Sequence, residues 1–245
     1  MYFKKILMML PVLLIYSPWA DAQEISGNTE ACIICHEAVT PGIVKDWETS
    51  LHAVVTPREA LDKAALESRF SAQTIADSLA DVVVGCAECH TLLADKHGDT
   101  YAHNGYPVHT VVSPADCQVC HPQEQAQYEF NLMSDAHVNL ANNPTYALLV
   151  ETVNGMHWRS QDSIYIKEPD LANNSQSCYY CHGTRVTVEK FEPRETMFGE
   201  MTFPVLNGWP NQGVGRINPD GSRGSCSSCH ARHSFSIKVG REPAT

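Results

Sequence analysis

The stretch Cys117-Gln118-Val119-Cys120-His121 is one of five Cys-x-x-Cys-His motifs that decide the fold of this 245-residue chain. All ten cysteines belong to these motifs, so none is left for another purpose. On a short helix, the two thiols and the histidine of one motif share a face. In chain order, the motifs are Cys32, Cys35 and His36; Cys86, Cys89 and His90; Cys117, Cys120 and His121; Cys178, Cys181 and His182; and Cys226, Cys229 and His230. This pattern is typical of covalent c-type heme attachment.

The chemistry of attachment explains the spacing. Two thiols add across the two vinyl groups of one heme, and the adjacent imidazole becomes the proximal ligand of its iron. The sequence therefore predicts five covalently attached hemes c, bound through the ten cysteines. The predicted proximal ligands are His36, His90, His121, His182 and His230.

Two other uses of paired cysteines explain the pattern less well. Structural zinc sites take Cys-x-x-Cys units two at a time, and five units do not divide in that way. Disulfides suit an exported chain, but they give no reason for a histidine after every pair. Both alternatives leave the five histidines unexplained.

The N-terminus has the features of a secretory signal peptide over residues 1–22. Lys4 and Lys5 are followed by an apolar stretch, residues 6–16, and by small residues at the cleavage positions 20–22. An uncleaved anchor is the alternative, but the apolar stretch is short for a bilayer. We therefore expect a multiheme cytochrome c domain over residues 23–245, periplasmic or otherwise exported, with no membrane span after cleavage.

The acidic composition limits the classes of partner. The net charge is −11, and it becomes −12 when Lys4, Lys5 and Asp21 are removed. Such a surface argues against binding to nucleic acid or to an anionic membrane. The expected partners are redox proteins, either cytochromes or quinol-linked proteins, and a homo-oligomer is compatible with the sequence.

The fold class that we predict is mainly α with long irregular segments, in which hemes form much of the core. Thr56, Pro57 and Glu59 form a capping box that starts one helix, with an apolar stripe that continues to Leu66. Three further helices are predicted over 71–84, 122–134 and 143–154. Alternating residues near 184–206 predict a small β-hairpin.

Seven histidines lie outside the motifs and can supply the second axial ligand of each iron. They are His52, His97, His103, His109, His137, His157 and His233. Methionine is the other common axial ligand, but no methionine has an obvious heme-binding context. The sequence therefore favours iron held by two histidines.

The chain resembles the hydroxylamine oxidoreductase-like octaheme cytochromes in the order and surroundings of its motifs. The stretches that carry the resemblance are Cys32–His36 with Val39-Thr40-Pro41-Gly42, Trp47 and Ser50-Leu51-His52-Ala53; Val84–His90 with His97-Gly98; Cys117–His121 with Gln123-Glu124; Ser134-Asp135-Ala136-His137; Cys178–Thr184; Gly208-Trp209-Pro210-Asn211; Asn218–Ser222; and Cys226–Ser236. They extend over nearly all of the predicted domain.

The resemblance implies roles for individual residues. His52, His97, His137 and His233 match the extra-motif ligands of that family, which makes them candidate distal ligands. The heme on Cys178 and Cys181, with His182 as its proximal ligand, matches the substrate heme, whose iron keeps one position open. The alternative is that this heme takes His103, His109 or His157 as a ligand and only passes electrons.

The chain also departs from the family, which carries eight hemes. Residues 241–245 correspond to the segment just before the sixth motif, so the chain resembles the N-terminal, five-heme part. The pocket Asp-His pair and the crosslinking Tyr of that family come later than this segment. We expect electron transfer as the function, with a redox enzyme acting on hydroxylamine or nitrite as the alternative. A structural, filament-forming cytochrome is a third class, for which the sequence gives no specific sign.

Overall fold

The computed structural model describes residues 24–168 and 170–240. The predicted signal peptide and the segment 241–245 lie outside these residues. Twelve short helices are described: α1 Gly27–Val39, α2 Pro41–Glu48, α3 Pro57–Asp62, α4 Asp77–Ala80, α5 Cys86–His90, α6 Pro114–Cys117, α7 Pro122–Glu129, α8 Ala136–Ala141, α9 Pro144–Asn154, α10 Leu171–Gln176, α11 Cys178–His182 and α12 Ile237–Gly240. None of them is both long and apolar enough to cross a bilayer.

Six strands form three separate antiparallel hairpins. The strands are β1 Tyr101–His103, β2 Tyr106–Val108, β3 Met156–Ser160, β4 Ser163–Lys167, β5 Thr187–Thr196 and β6 Gly199–Asn207. The predicted hairpin near 184–206 is confirmed as β5 and β6, which pair from Thr187 opposite Asn207 to Thr196 opposite Gly199. The other two hairpins were not predicted, because their strands are short and lack a long alternating pattern.

Each of the five motifs closes one helical turn. The first motif lies inside α1, so Cys32 and Cys35 are one turn apart on that helix. The second and fourth motifs are α5 and α11 themselves. The third and fifth motifs are less regular, but the amides of His121 and His230 still donate to the carbonyls four residues earlier, at 2.8 and 3.0 Å. The thiols and the histidine of every motif therefore share one face.

Two of the four predicted helices form close to their expected bounds. Thr56 and Glu59 make the predicted capping box at the start of α3. However, α3 ends at Asp62, so the apolar stripe does not continue to Leu66, which is 92% exposed. The helix predicted over 143–154 is confirmed as α9, with the side chain of Asn143 as its N-cap.

The predicted helix over 71–84 is wrong, and the one over 122–134 is too long. Only Asp77–Ala80 is helical in the first segment, because the amides of Val83 and Val84 donate to the carbonyls of Glu24 and His52. Backbone groups committed to distant partners cannot also continue a helix. In the second segment, α7 ends at Glu129.

The apolar core of the described residues is small. The buried apolar side chains are Val44, Trp47, Ala72, Ala80, Val83, Ala87, Val111, Leu140, Val150, Val186 and Ile217. Buried polar and charged residues outnumber them, which is unusual for a chain of this length. The fold therefore combines short helices and small antiparallel sheets around little apolar side-chain volume. That hemes form much of the core stays a prediction.

Candidate heme-binding site

The thiols of the motifs are available for covalent attachment. All ten cysteines are free: Cys181 and Cys229 are exposed, and the partly buried ones are Cys32, Cys35, Cys86, Cys89, Cys117, Cys120, Cys178 and Cys226. Paired thiols on one helical face, none of them in a disulfide, fit thioether attachment to one ring edge. Heme attachment itself, from Cys32 and Cys35 to Cys226 and Cys229, stays a prediction.

Burial affects the thiols of the second motif most clearly. It raises the pKa of Cys86 to about 11 and that of Cys89 to about 12. These two thiols therefore stay protonated at neutral pH in the absence of a bound group. A buried, protonated thiol is compatible with a thioether, which carries no charge.

Three motif histidines each face a histidine from outside the motifs. The ring centroids are 6.0 Å apart for His36 and His103, 6.3 Å for His52 and His121, and 6.5 Å for His90 and His233. The ring of His109 also lies 6.0 Å from that of His90. An iron between two axial imidazoles holds their centroids about 6 Å apart, given metal–nitrogen bonds of about 2 Å. The three spacings fit that requirement.

Local structure places the facing histidines. His52 lies in a single 3₁₀ turn whose N-cap is the side chain of Ser50. His103 ends β1 beside the tight turn at Asn104 and Gly105, which both have positive φ values. His233 lies three residues after His230, the histidine of the fifth motif. Each of these rings thus comes from a short turn rather than from a long element.

Hydrogen bonds orient some of the motif rings through Nδ1. His90 Nδ1 donates to the backbone carbonyl of His109 at 2.8 Å, and His36 Nδ1 is hydrogen-bonded to Thr40 Oγ1 at 2.9 Å. A ring held through Nδ1 presents Nε2 to a metal, which is the usual arrangement for histidine ligands.

Burial favours the neutral form of His52, His90, His103, His121 and His233. It lowers the pKa of His52 and of His90 to about 4, with smaller effects from nearby histidines. The pKa values of His103, His121 and His233 are also lowered, and burial is the main cause in each case. The neutral imidazole is the form that binds iron, so the electrostatics agree with the ring spacing.

His97 lies in different surroundings from the other predicted distal ligands. Its ring stacks on His109 with centroids 3.7 Å apart, and its Nε2 is hydrogen-bonded to Asp116 at 3.2 Å. Burial alone would lower its pKa, but Asp116 and Asp99 raise it to about 9. Within the described residues, no motif histidine faces it at the spacing of the three pairs. The structure instead brings His103, which the sequence offered only as an alternative ligand of the fourth heme, opposite the first motif histidine, His36.

His137 lies behind the fourth motif. Its Nδ1 donates to the Gly183 carbonyl at 2.7 Å, and its ring is 5.1 Å from that of Tyr179. Gly183 follows His182 and has a φ of 92°, which favours glycine. Nδ1 of His182 is buried without a hydrogen bond. Among the described residues, no imidazole faces His182 or His230 at the spacing of the three pairs.

Two guanidinium groups, those of Arg216 and Arg232, lie beside the third and fifth motifs. Arg216 is 1% exposed, and its nitrogens donate to the Asn218 side chain and to the carbonyls of Asn211 and Val112. Arg216 and Arg232 lie 5.2 and 5.0 Å from the ring centroid of Trp209. Over residues 24–168 and 170–240, no ion pair joins either arginine to an acid. Burial, with a smaller effect from Arg232, lowers the pKa of Arg216 to about 10. The propionates of a heme would add negative charge beside Arg216, on which the Asp220 carboxylate already acts.

Four of the motifs form a row in which each motif contacts the next in space. Thr29 of α1 bonds Glu88 of α5 at 2.7 Å, which holds the first and second motifs together. Cys120 affects the pKa of Cys89, so the second and third motifs are neighbours. Cys117 and Cys226 are close enough to hydrogen-bond, and this contact, together with burial, raises the pKa of Cys117. The residues present therefore fit covalent hemes attached close to one another.

The chain is similar to a solved structure named hypothetical multiheme protein. The identity is 41% and the TM-score is 0.82, over 91% of this chain and 43% of that one. This chain thus spans less than half the length of the protein that it matches. No protein-family model matches the chain. At this identity, the two proteins share their fold over nearly all of the present chain.

Proposed function

We propose that this protein is an exported multiheme cytochrome c that transfers electrons through five covalently attached hemes. The observation that carries the proposal is the set of three imidazole pairs, each of which joins a motif histidine to one outside the motifs. The similarity to a hypothetical multiheme protein supports the same conclusion from independent grounds. When bound, the hemes supply one-electron chemistry, and the chain supplies their attachment, ligands and spacing.

The contacts between motifs support a relay. The first motif adjoins the second, the second adjoins the third, and the third adjoins the fifth. Electron transfer slows steeply with distance, so neighbouring attachment sites favour rapid exchange. We propose that electrons pass along this order to or from a redox partner protein.

We also propose that the chain belongs with one particular group of multiheme cytochromes. The motif order and the residues around each motif resemble the hydroxylamine oxidoreductase-like octaheme cytochromes. On this proposal the chain corresponds to the five-heme part of such a protein, and it does match 43% of a longer multiheme protein. On this proposal, His52, His103 and His233 are the distal ligands for the hemes of His121, His36 and His90.

A second candidate function is redox catalysis on hydroxylamine or nitrite at the heme on Cys178 and Cys181. The observation that favours it is that, in the described part of the chain, no imidazole faces His182 at the spacing of the three pairs. His137 lies near His182, but its ring is not at that spacing, and its Nδ1 donates to the Gly183 carbonyl at 2.7 Å. An iron with one open position could bind a small nitrogen compound.

The test is heme quantification followed by low-temperature electron paramagnetic resonance on protein made in a host that attaches c-type hemes. We expect about five hemes per chain, of which about three give low-spin ferric signals of the bis-histidine type. A high-spin signal that changes on adding nitrite or hydroxylamine would support the second function. Cysteines that remain free thiols in the mature protein, with no bound heme, would contradict both functions.

A further inference from the structure

The hairpin of β3 and β4 is exposed to solvent on both of its faces. Every residue of Met156–Ser160 and Ser163–Lys167 is exposed. Five large apolar side chains of these strands are between 46% and 74% exposed: Met156, Trp158, Ile164, Tyr165 and Ile166. A two-stranded hairpin is at best marginally stable in water, and a sheet needs three or more strands to be stable by itself. A further strand on this hairpin would therefore stabilise it.

Of the three described hairpins, only this one lacks the features that keep a strand edge from pairing. Each of the other two hairpins contains proline, at Pro107 in β2, Pro193 in β5 and Pro204 in β6. The pairing of β5 with β6 also contains a register shift. Prolines and bulges hinder the addition of another strand to an edge. β3 and β4 contain no proline, and their register has no shift.

The outer edge of β4 presents backbone groups that β3 cannot bind. The hairpin closes at a two-residue turn, so Ser160 and Ser163, which flank the turn, form a hydrogen-bonded pair. Hydrogen-bonded and non-bonded pairs alternate along an antiparallel ladder. The N–H and C=O groups of Ile164 and Ile166 therefore point away from β3. In the part of the chain that the structure describes, no third strand joins this sheet.

A second copy of β4 complements this edge. When two copies pair antiparallel about Tyr165, Ile164 of each copy lies opposite Ile166 of the other, and their outward groups form four hydrogen bonds. The same pairing aligns four isoleucine side chains on one face of the sheet. On the other face it aligns two pairs of Trp158 and Tyr165, whose rings stack 5.5 Å apart within each copy. Such cross-strand pairs stabilise a sheet.

Charge also permits two copies to meet at this edge. The chain has a net charge of −11, which makes copies repel one another in general. From the start of α9 to the end of β4, however, two acids and two bases leave no net charge. In the antiparallel pair, Lys167 lies opposite Ser163 of the other copy, so no like charges meet. Pairing through β3 would instead place His157 opposite Arg159, which is a less favourable pair than two isoleucines.

We propose that the outer edge of β4 is an interface between two copies of this chain, which join in one four-stranded antiparallel sheet about a twofold axis. Both copies then use the same surface, as a twofold interface requires. Addition of a strand to an exposed sheet edge is a recurring mode of protein association. The proposal does not rest on heme attachment or on electron transfer.

The experiment is size-exclusion chromatography with light scattering on the full chain with its hemes, over a range of concentrations. We expect the unaltered protein to associate in even numbers of copies. Ile164→Glu combined with Ile166→Glu places acids opposite each other across the interface and should raise Kd at least about tenfold. Ile164→Glu combined with Ile166→Lys places opposite charges there and should associate at least about tenfold more tightly than the double-acid variant. Leu66→Glu, at a 92% exposed apolar residue elsewhere, is the control and should leave the mass unchanged.

Hydrogen exchange gives a second measurement that needs no variant. The amides of Ile164 and Ile166 should exchange slowly in concentrated protein and faster on dilution. Two results would overturn the proposal: a monomer at every concentration up to about 100 µM, or equal association of the two charged variants. If those variants do not accumulate, the mass and hydrogen exchange of the unaltered protein decide. Heme content is measured on the same samples, so failure of the proposed function would appear separately, as missing heme.

Discussion

The three facing imidazole pairs and the stacked pair of His97 and His109 use the same residue in opposite ways. In the facing pairs, centroids lie 6.0 to 6.5 Å apart, and burial lowers the pKa of both rings in the pairs of His90 and His121. In the stacked pair, the centroids are 3.7 Å apart and carboxylates raise the pKa of His97 to about 9. The surroundings of a histidine, and not its presence near a motif, therefore decide what it can bind.

The largest effect is expected from replacing one histidine of each kind by alanine. We expect His103→Ala to leave one iron without its distal ligand, so that one low-spin signal becomes high-spin. We expect His97→Ala to leave every low-spin signal in place, because no motif histidine faces it among the described residues. The measurement is electron paramagnetic resonance normalised to heme content. The reverse outcome would restore His97 as a distal ligand and remove His103 from that role.

A second prediction concerns the backbone that supports the fourth motif. Gly183→Ala would place a Cβ 2.3 Å from the Arg216 amide nitrogen at a φ of 92°. We expect the free energy of unfolding to fall by about 3 kcal/mol or more, since both strain and a backbone clash result. Chemical denaturation of the protein with its hemes measures the loss.

Gly199→Ala is the matched control, because Gly199 also has a positive φ but lies in open space. In Gly199→Ala the free energy of unfolding should fall only by the cost of the backbone strain, about 1 kcal/mol. Equal losses in the two variants would mean that the contact between Gly183 and Arg216 contributes nothing.

A third prediction separates Asp99 from the facing pairs. Asp99→Asn removes the buried carboxylate that faces His97 Nδ1, and it should lower the free energy of unfolding by about 1–3 kcal/mol. The low-spin signals should not change, because Asp99 contacts none of the facing rings. Thermal unfolding and spectroscopy on one sample check both statements. A changed heme signal with unchanged stability would place Asp99 beside a heme.

The smallest effect is expected away from both kinds of histidine. Thr56→Ala removes the hydroxyl that caps α3 and should cost about 1 kcal/mol of stability. Thr56→Ser keeps the hydroxyl and serves as the control. Heme spectra should be unchanged in both variants. A loss above about 2 kcal/mol in Thr56→Ala would show that more than the helix cap is lost.

Local structure was more predictable than the histidine partners. The capping box of Thr56 and Glu59, the helix after Asn143 and the hairpin of β5 and β6 follow from neighbouring residues, and the structure contains all three. The predicted helix over 71–84 failed because Val83 and Val84 bond Glu24 and His52, which lie far away in the sequence. Distant backbone partners leave no periodic signal in the segment itself.

The candidate distal ligands also differ in how far the sequence predicts them. His52 and His233 were predicted as distal ligands by resemblance, and the structure places each opposite a motif histidine, although this assignment stays a prediction. His103 carried no signal beyond its residue type and the Asn104-Gly105 turn that follows it. The contact between His36 and His103 spans 67 positions of the sequence, so only the tertiary structure reveals it.

The sequence by itself determined the local geometry of each motif, because the spacing of two thiols and a histidine, as in Cys32, Cys35 and His36, is set within one helical turn. It also determined the turns and caps, which depend on residues a few positions apart. Tertiary structure decided which histidine faces which motif, and it gathered His97, His109 and three aspartates into one buried cluster. Those arrangements depend on contacts between distant segments, whose geometry no local pattern of residues encodes.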